Sequence, residues 1–142
     1  MFTWMVAIAG LLLGGLLFVL QVSAVARPRA ESTIRNVYGG DPSSTDPKAY
    51  FAVNQGWAWA DTFFWCPLQI IGCLGMLLGE QWGFLIALMA SVPFVYTAIQ
   101  IFIWDRDMAF RKNTLAYWVI IWGMFPAFGC IQGVYCFLRL LD

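Results

Sequence analysis

Apolar residues in this chain gather into four long runs separated by short polar ones. The runs extend from Phe2 to about Ala26, from about Trp57 to Gly79, from Trp82 to Trp104 and from about Thr114 to Leu140. Each reaches the roughly 20 residues that a helix needs to cross the hydrocarbon of a bilayer. Between them lie a polar loop (Arg27–Asn54), a tight turn at Gly79-Glu80-Gln81 and a charged link (Asp105–Asn113). Links this short place consecutive helices antiparallel. The pattern therefore predicts an all-α fold: one polytopic membrane domain over residues 1–142, built as an antiparallel bundle of four transmembrane helices. The first run ends in Ala24-Val25-Ala26, which looks like a signal-peptidase site. It has no basic residue ahead of it and exceeds the usual length of a leader's apolar core, so it is read as a retained helix.

Composition sharpens the picture. Charged residues make up 11% of the chain and hydrophobic ones 61%, with mean hydropathy +0.73. Soluble domains carry about a quarter charged residues, so the chain lies outside that class. Eight basic residues balance eight acidic ones, and no net charge recruits nucleic acid. Histidine is absent, which removes imidazole metal and haem ligands and a histidine general base. Lys48 and Lys112 lie outside the apolar runs, so no buried Schiff-base lysine is expected. No catalytic, metal or cofactor motif is found.

The basic residues are distributed unevenly. Arg27, Arg29, Arg35 and Lys48 lie in the first loop, Arg106, Arg111 and Lys112 in the third, and Arg139 alone on the opposite side. This seven-to-one bias predicts that both loops are cytoplasmic and both termini exocytoplasmic, in a multi-pass protein of the cell (inner) membrane. The Gly39–Pro47 segment is rich in turn formers, while Tyr50, Phe51, Trp57 and Trp59 lead back towards the interfacial layer.

Asp61 is the most informative residue, because an ionisable side chain in an apolar run is costly and seeks the bundle interior. A helical wheel puts Asn54, Trp57, Asp61, Leu68, Gly72, Gly75 and Gly79 on one small, polar face. Counting depth from the loop side places Asp61, Gln100, Tyr117, Gln21 and Ser23 in one layer, with Tyr96 and Thr97 a turn deeper. Three readings stay open for Asp61. It caps a helix beginning at Thr62, it belongs to a hydrogen-bonded collar that fixes helix register, or it is a titratable ligand group. Gln100, Tyr96 and Tyr117 lead as its expected partners.

Glycines at 10/14, 75/79 and 129/133 repeat a four-residue spacing that allows close helix crossings, with Gly72 on the same face. For at least two of the three pairs, contacts within the bundle explain the spacing better than self-association. Pro67, Pro93 and Pro126 fall inside runs two, three and four, and each is expected to kink its helix. Cys66, Cys73, Cys130 and Cys136 form no C-x-x-C motif. Cys73 and Cys130 lie at matching depth and would be the pair to bridge, although apolar free thiols are the simpler expectation.

The segment WAWADTFFWCPLQIIGCLGMLLGEQWG (Trp57–Gly83) resembles small, uncharacterised four-helix prokaryotic integral membrane proteins, through its Trp-Ala-Trp-Ala-Asp run, Pro67-Leu68, spaced glycines and Gly-Glu-Gln-Trp-Gly turn. The resemblance covers about a fifth of the chain and implies the bundle without an activity. Small multidrug exporters would have an acidic residue in the first helix, and glutathione-using four-helix enzymes an Arg/Glu/Asn pattern; both are missing here. Eight Trp and twelve Phe supply adhesive surface. The expected role is that of a non-enzymatic membrane protein, which packs against a membrane-protein complex or a second copy of itself, or holds an apolar or lipid ligand. The alternatives are a small proton- or cation-sensitive carrier using Asp61, and a lipid-modifying enzyme with Asp61 and Tyr117 as acid and base.

The charge bias has a direct test. In intact cells, with the native cysteines removed, Ser44→Cys should be protected from an impermeant thiol reagent. Labelling from outside would reverse the orientation.

Overall fold

The computed structural model describes residues 1–37, 48–107 and 119–141, and these are helical apart from short turns. In chain order the elements are α1 (Phe2–Ala26), α2 (Glu31–Asn36), α3 (Lys48–Ala60), a π-helical segment (Asp61–Trp65), α4 (Cys66–Leu78), α5 (Gln81–Asp107), a second π-helical segment (Val119–Met124) and α6 (Phe125–Leu141). Four helices are long and apolar enough to cross a membrane: Phe2–Ala26, Phe51–Leu78, Gln81–Gln100 and Trp122–Leu141. Helix α4 packs between α1 and α5, and α5 packs between α4 and α6.

Two boundaries differ from those expected. The loop that follows α1 contains the short helix α2, and the second helix begins at Lys48, well before Trp57. No proline falls between Pro47 and Asp61, and the early part of α3 has something to pack on. Ala58 and Ala24 bury each other completely, with Phe51, Ile34 and Val37 against them. Asp61 therefore lies inside a continuous helix, and the capping reading fails.

The turn between α4 and α5 is built by Gly79, at φ +77, a left-handed conformation that glycine adopts without a Cβ clash. Its N–H donates to the Met76 carbonyl (3.1 Å), and the Glu80 N–H donates to the Gly75 carbonyl (3.0 Å). This paired closure satisfies the last carbonyls of α4. Gly79 is thus a turn residue; a Cβ there would touch nothing.

Small residues set the helix separations. A Cβ on Gly72 would come within 2.6 Å of the Ala87 backbone nitrogen, and one on Gly83 within 2.2 Å of the Gly75 carbonyl carbon. Backbone therefore rests directly on backbone between α4 and α5. Gly129 and Gly133 give α6 the same close approach to Ser91 and Phe94 of α5. Gly10 and Gly14 of α1 lie over the Gln69 side chain of α4. Beyond these contacts, Phe94 is enclosed edge-on by Trp65, Phe125 and Phe128, and the Trp65 Nε1–H donates to the Ala90 carbonyl at 2.9 Å.

Prolines shape two of the spans. A proline ring crowds the carbonyl four residues earlier and offers no N–H to it. Pro67 and Pro126 each sit two residues beyond the end of a π-helical segment. In the first segment the Cys66 N–H bonds the Asp61 carbonyl, five residues back. The wider π turn leaves room for a residue that offers no N–H. Pro93 lies inside α5 with no such segment.

Backbone contact makes the α4–α5 crossing intolerant of added atoms. Gly83→Ala and Gly75→Leu should each cost on the order of 1–3 kcal/mol, read as a lower Tm in detergent. Gly15→Ala, where a Cβ meets open space, should be neutral or stabilising by up to about 1 kcal/mol, since alanine is the better helix former. Equal effects at Gly15 and Gly83 would contradict the crossing.

Candidate functional site

The most buried polar groups in the bundle are two glutamines. Gln69 of α4 is 1% exposed and Gln132 of α6 is 0% exposed. Their amides bond reciprocally: Gln69 Nε2 donates to Gln132 Oε1 at 2.8 Å, and Gln132 Nε2 donates to Gln69 Oε1 at 2.9 Å. Each amide has a second proton to place. Gln132 Nε2 gives its own to the Ala87 carbonyl of α5 at 2.7 Å, and Gln69 Nε2 gives its own to Cys73 Sγ at 3.2 Å. All four N–H groups and both carbonyl oxygens are thereby matched, which an apolar interior demands. Room for this pair comes from α1, where a Cβ on Gly10 would fall 2.6 Å from Gln69 Nε2 and 3.2 Å from Gln132 Oε1.

A second polar group lies nearer the loop side. Asp61 Oδ2 accepts from Gln21 Nε2 of α1 at 2.9 Å. Asp61 is half-buried, and the buried Thr62 hydroxyl beside it has no hydrogen-bond partner among the described residues. Both residues belong to the first π-helical segment, whose widened turn presents successive side chains differently from an α-helix.

The expected polar layer is therefore assembled only in part. Gln21 and Asp61 meet. Tyr96 does not join them: it is 58% exposed, in line with Leu85, Met89, Val92 and Ile99 on the outer face of α5. Gln100 is half-buried, and no bond joins it to Asp61. The Ser23 hydroxyl returns to its own helix, donating to the Leu20 carbonyl at 2.6 Å. Tyr117 lies outside the described residues. Cys130 is exposed and Cys73 buried, and both are free thiols, so the bridge considered between them is not formed. Among the described residues no three His, Cys, Asp or Glu side chains converge as a metal-binding group.

Gln69 and Gln132 escaped the reading of the sequence. The signal was present: an amide near the middle of each of two apolar runs, each three residues from a glycine. Comparison with protein families, curated proteins and solved structures finds no match to this chain. The likeness of Trp57–Gly83 to small four-helix membrane proteins thus acquires no family to rest on.

The reciprocal pair predicts a signature in a double-mutant cycle. Gln69→Leu strands buried polar atoms of Gln132 and should cost about 1–3 kcal/mol. Adding Gln132→Leu removes those atoms, so the double variant should lose clearly less than the sum of the two single losses. Additive losses in thermal or denaturant unfolding would mean that the two amides do not depend on each other.

Proposed function

We propose that this chain is a four-span integral membrane protein without enzymatic activity, which works by packing its outer surface against a membrane partner or an apolar ligand. Four apolar helices support the membrane assignment. Loops at the α1/α3 and α5/α6 ends would be cytoplasmic and both termini exocytoplasmic, on the strength of the arginine and lysine bias.

One observation carries the packing role. The interior polar groups of Gln69 and Gln132 are consumed by each other and by the bundle, whereas the outer surface offers, among the described residues, an open groove of about 290 Å³ with an apolar surface. Val95, Ala98, Ile99, Trp122 and Pro126 line this groove between α5 and the last span. Such a depression accepts a partner's aliphatic or aromatic side chain, or a chain of a lipid or pigment. Among the described residues, the Trp122 indole is the one lining side chain with a polar atom.

Asp61 supports a second reading, that of a proton- or cation-sensitive carrier. Its carboxylate is met by a neutral amide rather than a cation, and an unpartnered buried hydroxyl lies next to it. Intramembrane carboxylates of this kind mark ion pathways.

Photo-crosslinking in native membranes separates the readings. A photoreactive residue at Ile99, in the groove, should yield one discrete adduct of defined mass, while the same residue at Leu12, on the exposed face of α1, should yield only mixed bulk lipid. Identical mixed-lipid products at both positions would remove the support for packing. The carrier reading rests on the carboxylate itself, so substrate-driven proton flux should be present in proteoliposomes, lost in Asp61→Asn, and lost without unfolding. Undiminished flux in Asp61→Asn, or no flux in the wild type, rules it out.

A further inference from the structure

The sulfur atoms of this bundle are unevenly placed. Three of them come together at the turn side of the core: Cys73 and Met76 on α4, and Cys136 on α6. Each is at most 1% exposed, and they share one buried cluster with Val6, Ala7, Phe84 and Ala87. Cys73 and Met76 are three residues apart, so they lie on one face of α4, a turn from each other. Cys136 Sγ lies 3.8 Å from Met76 Sδ; α4 and α6 thus run the same way past the paired amides, and Cys73 and Cys136, each four residues beyond its glutamine, come opposite each other in the same buried cluster. An N–H also points at this group, that of Gln69 Nε2, 3.2 Å from Cys73 Sγ.

Buried thiols often do no more than fill space. Filling space explains the burial. It does not explain why sulfurs from two different helices gather at one depth of the core. A soft metal ion binds sulfur as the thiolate and displaces the thiol proton as it binds.

The geometry points to a buried site for one copper(I) ion, held by the thiolates of Cys73 and Cys136 and the thioether of Met76. Ligand chemistry selects the metal. Thiolate with thioether is a soft donor set that suits copper(I), whereas calcium and magnesium take oxygen ligands. Structural zinc takes four ligands from Cys, His and carboxylate, and the described residues do not bring even three of those together. Size agrees as well. With metal–sulfur bonds of roughly 2.3 Å, three sulfurs around one ion in a plane stand about 4 Å apart, and the Cys136–Met76 separation of 3.8 Å already matches one such edge. Binding exchanges two thiol protons for the ion and leaves the group with one negative charge, which the Gln69 N–H partly offsets. Met76 lies three residues before Gly79, so the site is about one turn from the end of the bundle. Above it, Tyr135 packs against the cluster and its hydroxyl bonds that of Thr3.

The test is an anaerobic titration of the purified full chain in detergent with copper(I), in competition with a copper(I) chelator such as bicinchoninate. One copper per chain should be retained, with two protons released and an all-sulfur shell in the X-ray absorption spectrum. Met76→Leu keeps the volume of the side chain and should weaken binding about tenfold or more, with the Tm little changed. Cys136→Ala should abolish retention, and Cys130→Ala, at an exposed position, should leave it intact. If Cys136→Ala fails to fold, the Met76→Leu comparison decides the matter alone. Failure of the wild type to hold copper against the chelator would overturn the site. So would retention that is unchanged in Met76→Leu, or that is lost in Cys130→Ala.

Discussion

An amide placed in an apolar interior must find partners for two protons and a carbonyl, and the rest of this bundle is arranged around how two such amides do so. Gln69 and Gln132 answer each other across α4 and α6, and their remaining protons go to the Ala87 carbonyl and the Cys73 sulfur. The two helices must therefore face each other at one rotation and one depth. Helix α5 must bring Ala87 within reach, and α1 must present glycine where the amides lie. A single constraint thus involves all four spans. In lipid, where apolar side chains gain little by leaving one kind of hydrocarbon for another, hydrogen bonds and close packing are what specify one arrangement.

The backbone has been adapted to permit that arrangement. Gly72, Gly75 and Gly83 bring α4 and α5 into direct contact, so that Ala87 lies near the centre of the bundle. The π-helical segment before Pro67 takes up the missing N–H and also shifts the face of the second span. Gln69, Cys73 and Met76 are thereby carried under α1 and α6, while Gly72 and Gly75 turn to α5. Gln69, Cys73 and Met76 lie on one stretch of α4, and Gln132 and Cys136 face them from one stretch of α6. Any change to the π turn should therefore be felt at the amides and the sulfurs alike.

The coarse plan was legible because it rests on large, local quantities. A run of apolar residues states its own length, and four of them predicted four helices that match the observed ones to within a few residues at α1 and the α4–α5 turn. What was hidden depended on the chain departing from uniform geometry. A wheel drawn at 3.6 residues per turn passes over Gln69 and selects Leu68, because it takes no account of the wider turn at Asp61–Trp65. The start of α3 at Lys48 was masked by a polar, mixed sequence whose apolar side chains are buried only by tertiary contact with Ala24 and α2. Depth counting alone offered Tyr96 to Asp61, but depth says nothing of rotation, and Tyr96 faces out while Gln21 faces in. Cys136 was likewise set aside in favour of Cys130, which has the right depth and the wrong face.

The proposed packing role divides the molecule between an interior fixed by mutual satisfaction and an exterior left to meet a partner. The interior claim is the central one, and exchange of side-chain amide protons measures it most directly. In the isotopically labelled protein in lipid, the Gln69 and Gln132 side-chain amide protons should resist deuterium exchange far longer than those of exposed Gln81, and should show through-space contact with each other. Exchange of Gln69 or Gln132 as fast as that of Gln81 would mean that the pair is open to water and does not hold the four helices together.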